Sequence, residues 1–108
     1  MTDMKVVITS SGNSIESTLD LSFGRCEFFV VYDSESKSIE FVPNPNRLVE
    51  ESAGTGSVQL MQSLNVKKVI SGEFGMRVKP LFDSMRIQMI IFRKPGVKIL
   101  QIIELLNH

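Results

Sequence analysis

Apolar residues in this chain come in short runs, and polar, glycine-bearing or proline-bearing stretches separate them. Met4 to Thr9 (MKVVIT) is a β-branched run that stops at Ser10-Ser11-Gly12-Asn13, which predicts a buried strand followed by a loop. Cys26 to Asp33 (CEFFVVYD) and Ser38 to Val42 (SIEFV) flank Ser34-Glu35-Ser36-Lys37, a polar connection of hairpin length. Two antiparallel strands are expected there. Pro43-Asn44-Pro45-Asn46 stops the third strand, because neither proline can donate to a ladder. From there to Ser57 the chain is polar and glycine-bearing and predicts a loop. Val58, Leu60, Met61 and Leu64 then recur at helical spacing, with Gly56-Ser57 as the expected helix start.

The second half alternates. Val66 to Ser71 (VKKVIS) returns to strand character and closes on Gly72-Glu73-Phe74-Gly75, after which Val78, Leu81, Phe82 and Met85 keep helical spacing. Pro80 fits a helix only in its first turn, so the helix starts near Arg77 or Val78. Ile87 to Phe92 is a fifth strand, Lys94-Pro95-Gly96 a turn, and Val97 to Leu106 a last helix. Strands that alternate with helices imply parallel neighbours, while the hairpin implies an antiparallel part. The predicted fold is therefore α/β: one domain over residues 1–108, with a mixed five-stranded sheet and helices on its faces. Met4 to Thr9 should be the central strand, antiparallel to Cys26 to Asp33.

Composition narrows the function classes. The chain has 108 residues, 43% hydrophobic and 22% charged, which are ordinary globular values. Twelve basic and twelve acidic residues give a net charge of zero, so no global field gathers nucleic acid or an anionic membrane. A lone cysteine, Cys26, cannot form an internal disulfide or a Cys-Cys metal motif. The longest apolar run is four or five residues against the ~20 of a spanning helix, and no basic flank with an apolar segment opens the chain. A cytoplasmic, soluble protein is expected. The single histidine is the terminal His108, which leaves the interior without the commonest general base and metal ligand. No nucleophile–base pair or carboxylate cluster is visible, because Glu50 and Glu51 are adjacent and Glu73 stands alone. No catalytic residue is assigned, and no hydrolase, nuclease or transferase activity is expected.

Candidate binding residues lie at element ends. Ser22-Phe23-Gly24-Arg25 precedes the second strand, where a glycine lets a ligand approach the backbone and an arginine can hold a carboxylate or phosphate through its fork. Gly54-Thr55-Gly56 precedes the first helix, and Gly72 and Gly75 bracket the turn into the second. Backbone N–H groups at such turns bind anions, and in open α/β sheets they meet at the carboxyl edge of the parallel strands, where Ser10, Ser11 and Gly12 should join them. Neither cluster is a phosphate-binding loop, since no Gly-Lys-Ser/Thr ends it. Cys26 enters a buried strand and reads as a small core hydrophobe. In the last helix only Lys98, Gln101 and Glu104 interrupt an apolar surface, a pattern that calls for cover from the sheet and from a second body.

Taken in order, MKVVITS, SFGRCEFFVVYD, Asn44-Pro45, AGTGSVQLM and VKKVISGEFGMRVKPLF resemble the dinitrogenase iron-molybdenum cofactor biosynthesis family, the small nitrogenase accessory-factor domains, over nearly the whole chain. The resemblance implies a ribonuclease H-like α/β fold. It also implies binding of an iron-sulfur-type or iron-molybdenum cluster, or a precursor, for delivery rather than turnover. Many members carry histidine where this chain has Ser22 and Ala53, and a proline where it has Met76. Hard hydroxyls do not replace imidazole on soft iron. The anionic periphery of a cluster would then fall to Arg25 and backbone N–H groups, with Ser11, Phe23, Gly24, Gly54, Thr55, Gly56, Gly72 and Gly75 around it; a metal-ligand set is not assigned. The competing reading is a protein-interaction or dimerisation domain that works through Val97 to Leu106 as a homo-oligomer or with a partner protein.

Overall fold

A computed structural model describes residues 5–48 and 53–107 of the chain. Met4, Glu50, Glu51 and His108 lie outside the described residues, as does the side chain of Ala53. Five strands and three helices follow in the order β1 (Lys5–Ser10), β2 (Phe28–Asp33), β3 (Ser38–Pro43), α1 (Ala53–Ser63), β4 (Lys68–Ser71), α2 (Val78–Met85), β5 (Gln88–Ile91) and α3 (Ile99–Leu106). The sheet order is β3-β2-β1-β4-β5. β1 is central, antiparallel to β2 with Val7 opposite Val31, and parallel to β4 with Val7 opposite Val69. β5 continues the parallel half, with Val69 opposite Met89. The mixed topology is the one the hairpin and the later alternation predict. No described helix is long and apolar enough to cross a membrane.

Strand alternation sends side chains to two cores. Val7, Phe29, Val31 and Val69 face Val58 and Met61 of α1 and Val78 and Phe82 of α2. Val6, Ile8, Val30, Tyr32 and Ile70 face Ile99, Ile102 and Ile103 of α3. The segment after β1 laces α3 to that face: Leu19 N donates to Val97 O, Ile99 N to Ser17 O and Leu100 N to Ile15 O, each at 2.9 Å. Backbone N–H groups that a helix start leaves unpaired otherwise, or a loop would lose to water, are thus satisfied locally.

Several boundaries differ from the sequence reading, each for a physical reason. β2 starts at Phe28 rather than Cys26, because the Cys26 carbonyl accepts from Asn44 Nδ2 at 2.9 Å and the Glu27 carbonyl from Asn44 N at 3.0 Å. Val66 and Ile87 still close helices, donating to Met61 O at 3.3 Å and Phe82 O at 3.0 Å, so β4 and β5 begin later. α3 starts at Ile99, where the Lys98 N–H is capped by Gln101 Oε1 at 2.9 Å. The largest shift is in α1, which starts at Ala53 and not at Gly56-Ser57. Gly54 and Gly56 therefore lie inside the helix. A β-carbon on Gly54 would stand 2.9 Å from Val78 Cγ2, so the missing side chain admits α2. Close packing overrides the low helix propensity of glycine here.

α3 is also better covered than its composition suggests. Val97, Ile99, Ile102 and Ile103 are buried, Leu106 packs at the margin of the same core, and Leu105 remains exposed.

Candidate functional site

The carboxyl ends of β1 and β4 carry hydroxyls where a metal-dependent hydrolase would carry carboxylates. Thr9 Oγ1 donates to the Asp20 carbonyl at 2.7 Å and lies 3.1 Å from Ser71 Oγ, which in turn faces Leu21 O at 3.5 Å. These bonds pin the segment that follows β1 onto the sheet edge. Ser22 then bridges to Glu73, and Asp20 Oδ1 accepts the Ser22 N–H at 2.9 Å. The site is thus built on a stapled turn.

Phe23 anchors that turn. Its ring is buried among Phe29, Phe74 and Phe82, with centroids 5.7, 5.5 and 5.2 Å away. Asn44, itself buried, donates Nδ2 to Gly24 O at 3.0 Å and Cys26 O at 2.9 Å, and its Oδ1 accepts the Asn46 N–H at 2.9 Å. Held from both sides, the turn presents Arg25 at the surface, with its amide on Ser22 Oγ at 3.2 Å and Nη1 on the Arg47 carbonyl at 3.4 Å. Arg47 pairs with Glu27 at 3.0 Å.

A cleft of about 490 Å³ opens between this turn, the first turn of α1 and the Glu73–Val78 segment. Of the sequence-nominated residues, Phe23, Gly24, Arg25, Gly54, Thr55 and Gly75 line it. Ser22, Glu73, Met76, Arg77 and Val78 complete the wall. Two arginines and one glutamate therefore share its lining, and the N-terminal ends of α1 and α2 add the positive ends of their dipoles. Three nominated residues fall elsewhere. Ser11 turns its hydroxyl to Thr18, 3.1 Å from both the carbonyl and Oγ1, and closes its own loop. Gly56 packs against the Asn46 side chain. Gly72 lies under Leu21, where a β-carbon would come within 2.7 Å of the Leu21 Cα; its role is to let two backbones touch.

Cys26 is fully buried and does not line the cleft. Burial, aided by the charge of Asp20, pushes its thiol up to about 12, and the Sγ–H is directed at the Phe23 carbonyl at 3.6 Å. That is the behaviour of a core residue, not of a thiolate ligand. Among the described residues no group of three or more His, Cys, Asp or Glu stands close enough to hold a metal ion. Arg77 and Asn44 are among the site residues that the sequence reading does not nominate. Arg77 is legible as a helix start but not as a second charge in the Arg25 cleft, and Asn44 as a strand stop but not as the clamp on the turn.

The profile of the family described as dinitrogenase iron-molybdenum cofactor matches residues 4–107. The chain belongs to that family. No curated protein matches it significantly. Among solved structures it is similar to the apo form of the orange protein from Desulfovibrio gigas, at 20% identity over 95% of this chain and 86% of that one, with a TM-score of 0.86. It is also similar to a NifB-like protein from Thermotoga, at 25% identity over 96% and 87% of the two chains and a TM-score of 0.78. A dinitrogenase-like protein from Methanocaldococcus jannaschii matches at 20% identity over 82% and 75%, with a TM-score of 0.54. At such identities the first and third similarities speak for the fold alone.

Proposed function

We propose that the domain is a non-catalytic carrier that takes an anionic metal cluster, of iron-sulfur or iron-molybdenum type, into the cleft between Arg25 and Arg77 and releases it unchanged. Family membership supports the cargo class. The observation that carries the reading is the cleft, where two guanidinium groups and two helix starts converge on a stapled turn. The side-chain donors on its wall include the Ser22 and Thr55 hydroxyls, the Glu73 carboxylate and the Met76 thioether, of which only the last is soft. Such a donor set suits hydrogen bonding to the sulfides and outer oxygens of a cluster better than replacing its metal ligands. Loose holding of that kind agrees with delivery.

Two measurements test this. Anaerobic isolation from the native host, followed by metal analysis and absorption spectroscopy, should find iron or molybdenum with the protein. Titration with tetrathiomolybdate, a small dianion of molybdenum and sulfide, should saturate, and Arg25→Ala should weaken it about 10- to 150-fold, the range of roughly 1.5 to 3 kcal/mol for a charge-assisted hydrogen bond. Cys26→Ser should leave it unchanged. Metal-free protein from the host, or binding that dies with Cys26→Ser and survives Arg25→Ala, overturns the assignment. Turnover of a phosphodiester or ester panel that vanishes on changing one cleft residue would show an enzyme instead.

A further inference from the structure

The sulfur atoms of the described residues are divided unequally between core and surface. Met61 is fully buried, Met85 and Met89 are half-buried, and Cys26 is a buried thiol that its surroundings keep protonated. Met76 is 91% exposed, the highest value among the large apolar residues described. It is also one of the residues that line the Arg25–Arg77 cleft, and the only one of them whose side chain carries sulfur. An apolar side chain in water is unfavourable, and Met76 belongs to neither hydrophobic core. Packing therefore does not account for a methionine at this position.

Oxidants discriminate among such sulfurs by access and, for a thiol, by ionisation. A peroxide attacks the thiolate and not the neutral thiol, so Cys26 is shielded twice, by burial and by its proton. A thioether has no proton to lose. Access alone decides, and access singles out Met76. Oxidation there alters the chemistry of the cleft wall, because a polarisable thioether suited to sulfide becomes a polar sulfoxide. The added oxygen is a hydrogen-bond acceptor one residue from Arg77, so it competes with an anion for the guanidinium donors of the same cleft.

We propose that Met76 is an oxidation site and that its oxidation by a hydroperoxide releases the anionic cargo from the Arg25–Arg77 cleft. The thioether sulfur gives up two electrons, the O–O bond of the peroxide breaks, a sulfur–oxygen bond forms, and with hydrogen peroxide the second oxygen leaves as water. A dithiol acting through a methionine sulfoxide reductase reverses the step, returning two electrons and removing the oxygen as water. Release rests on the carrier reading above; the order of oxidation does not.

In the test, the full chain is treated with hydrogen peroxide, the excess is destroyed with catalase, and oxygen uptake is mapped by peptide mass spectrometry. Met76 should gain one oxygen well before Met61, Met85 or Met89. Treated and untreated protein are then titrated with tetrathiomolybdate. Oxidation should weaken binding roughly tenfold, and treatment with a methionine sulfoxide reductase and dithiothreitol, removed before the titration, should restore it. Met76→Leu should lose the peroxide effect whatever its own affinity. Met76→Gln, which places a polar group there without oxidation, should bind weakly with or without peroxide, and Cys26→Ser should keep the effect. Oxidation of another of these methionines first, undiminished binding by the Met76 sulfoxide, or a peroxide effect that persists in Met76→Leu overturns the proposal and leaves the carrier reading intact. Untreated wild type that binds no tetrathiomolybdate overturns the carrier reading, and the proposed release with it.

Discussion

Cys26 shows how little a residue type says without its surroundings. Beside Arg25 in sequence, it would gain acidity if its thiol met solvent; buried under the Phe23 turn and near the charge of Asp20, it loses acidity instead, with Asn44 Nδ2 opposing the rise. The folded-state value, about 12, lies above the ordinary 9.0, so the neutral thiol is the form that folding favours. Its contribution to stability is complete below about pH 9 and is lost as the pH rises toward 12. Denaturant midpoints measured across that window should fall more steeply for the wild type than for Cys26→Ser, which has no thiol to ionise. Native protein at pH 8 should resist iodoacetamide and react once unfolded in guanidinium. Rapid labelling of the native state would place the thiol at the surface. Arg25 was readable as an anion-binding candidate because glycine and arginine adjoin in sequence. Arg77 was not, because only folding brings it to the same cleft.

At the scale of elements, the two glycines of the Gly72-Glu73-Phe74-Gly75 link look alike in sequence and differ in structure. Gly72 is buried, with Leu21 backbone against it, while a β-carbon on Gly75 would meet nothing within 4 Å. Gly72→Ala must part β4 from the Leu21 segment and with it the bonds around Thr9 and Ser71; a loss of about 2 to 4 kcal/mol is expected, as for other buried overpacking and network breaks. Gly75→Ala should be neutral or stabilise by up to about 1 kcal/mol, since it only restricts the unfolded chain. Chemical denaturation of the pair decides; equal effects would mean that the Leu21 contact does not hold the edge together. Strands and helices were each foreseen from periodicity. Boundaries at Cys26, Val66 and Ile87 were not, because Asn44 and the ends of α1 and α2 claim backbone groups that the apolar runs alone would assign to the sheet.

For the whole molecule, the sheet order sets a gradient of protection. β1 is bonded on both sides and covered on both faces, whereas β3 and β5 each have one open edge. Amides of Val7, Ile8 and Val69 should therefore exchange only through global unfolding, and those of Met89 and Ile91 through local fluctuations, orders of magnitude faster. Hydrogen exchange followed by NMR reads this directly; slow exchange at Met89 or Ile91 in the isolated chain would mean that the edge is already covered. The sequence by itself determined the element order, the mixed sheet with β1 at its centre and the family, because periodicity, turn chemistry and motif order are local properties. It also nominated six of the residues that line the cleft. Tertiary structure alone decided that Gly56 and Gly72 serve packing and Ser11 its own loop. It also decided that α3 buries most of its apolar stripe and leaves Leu105 beside β5, and that Arg77 joins Arg25. Each of those outcomes depends on which distant segment arrives at a given backbone, and chain-distant contacts leave no period in a sequence.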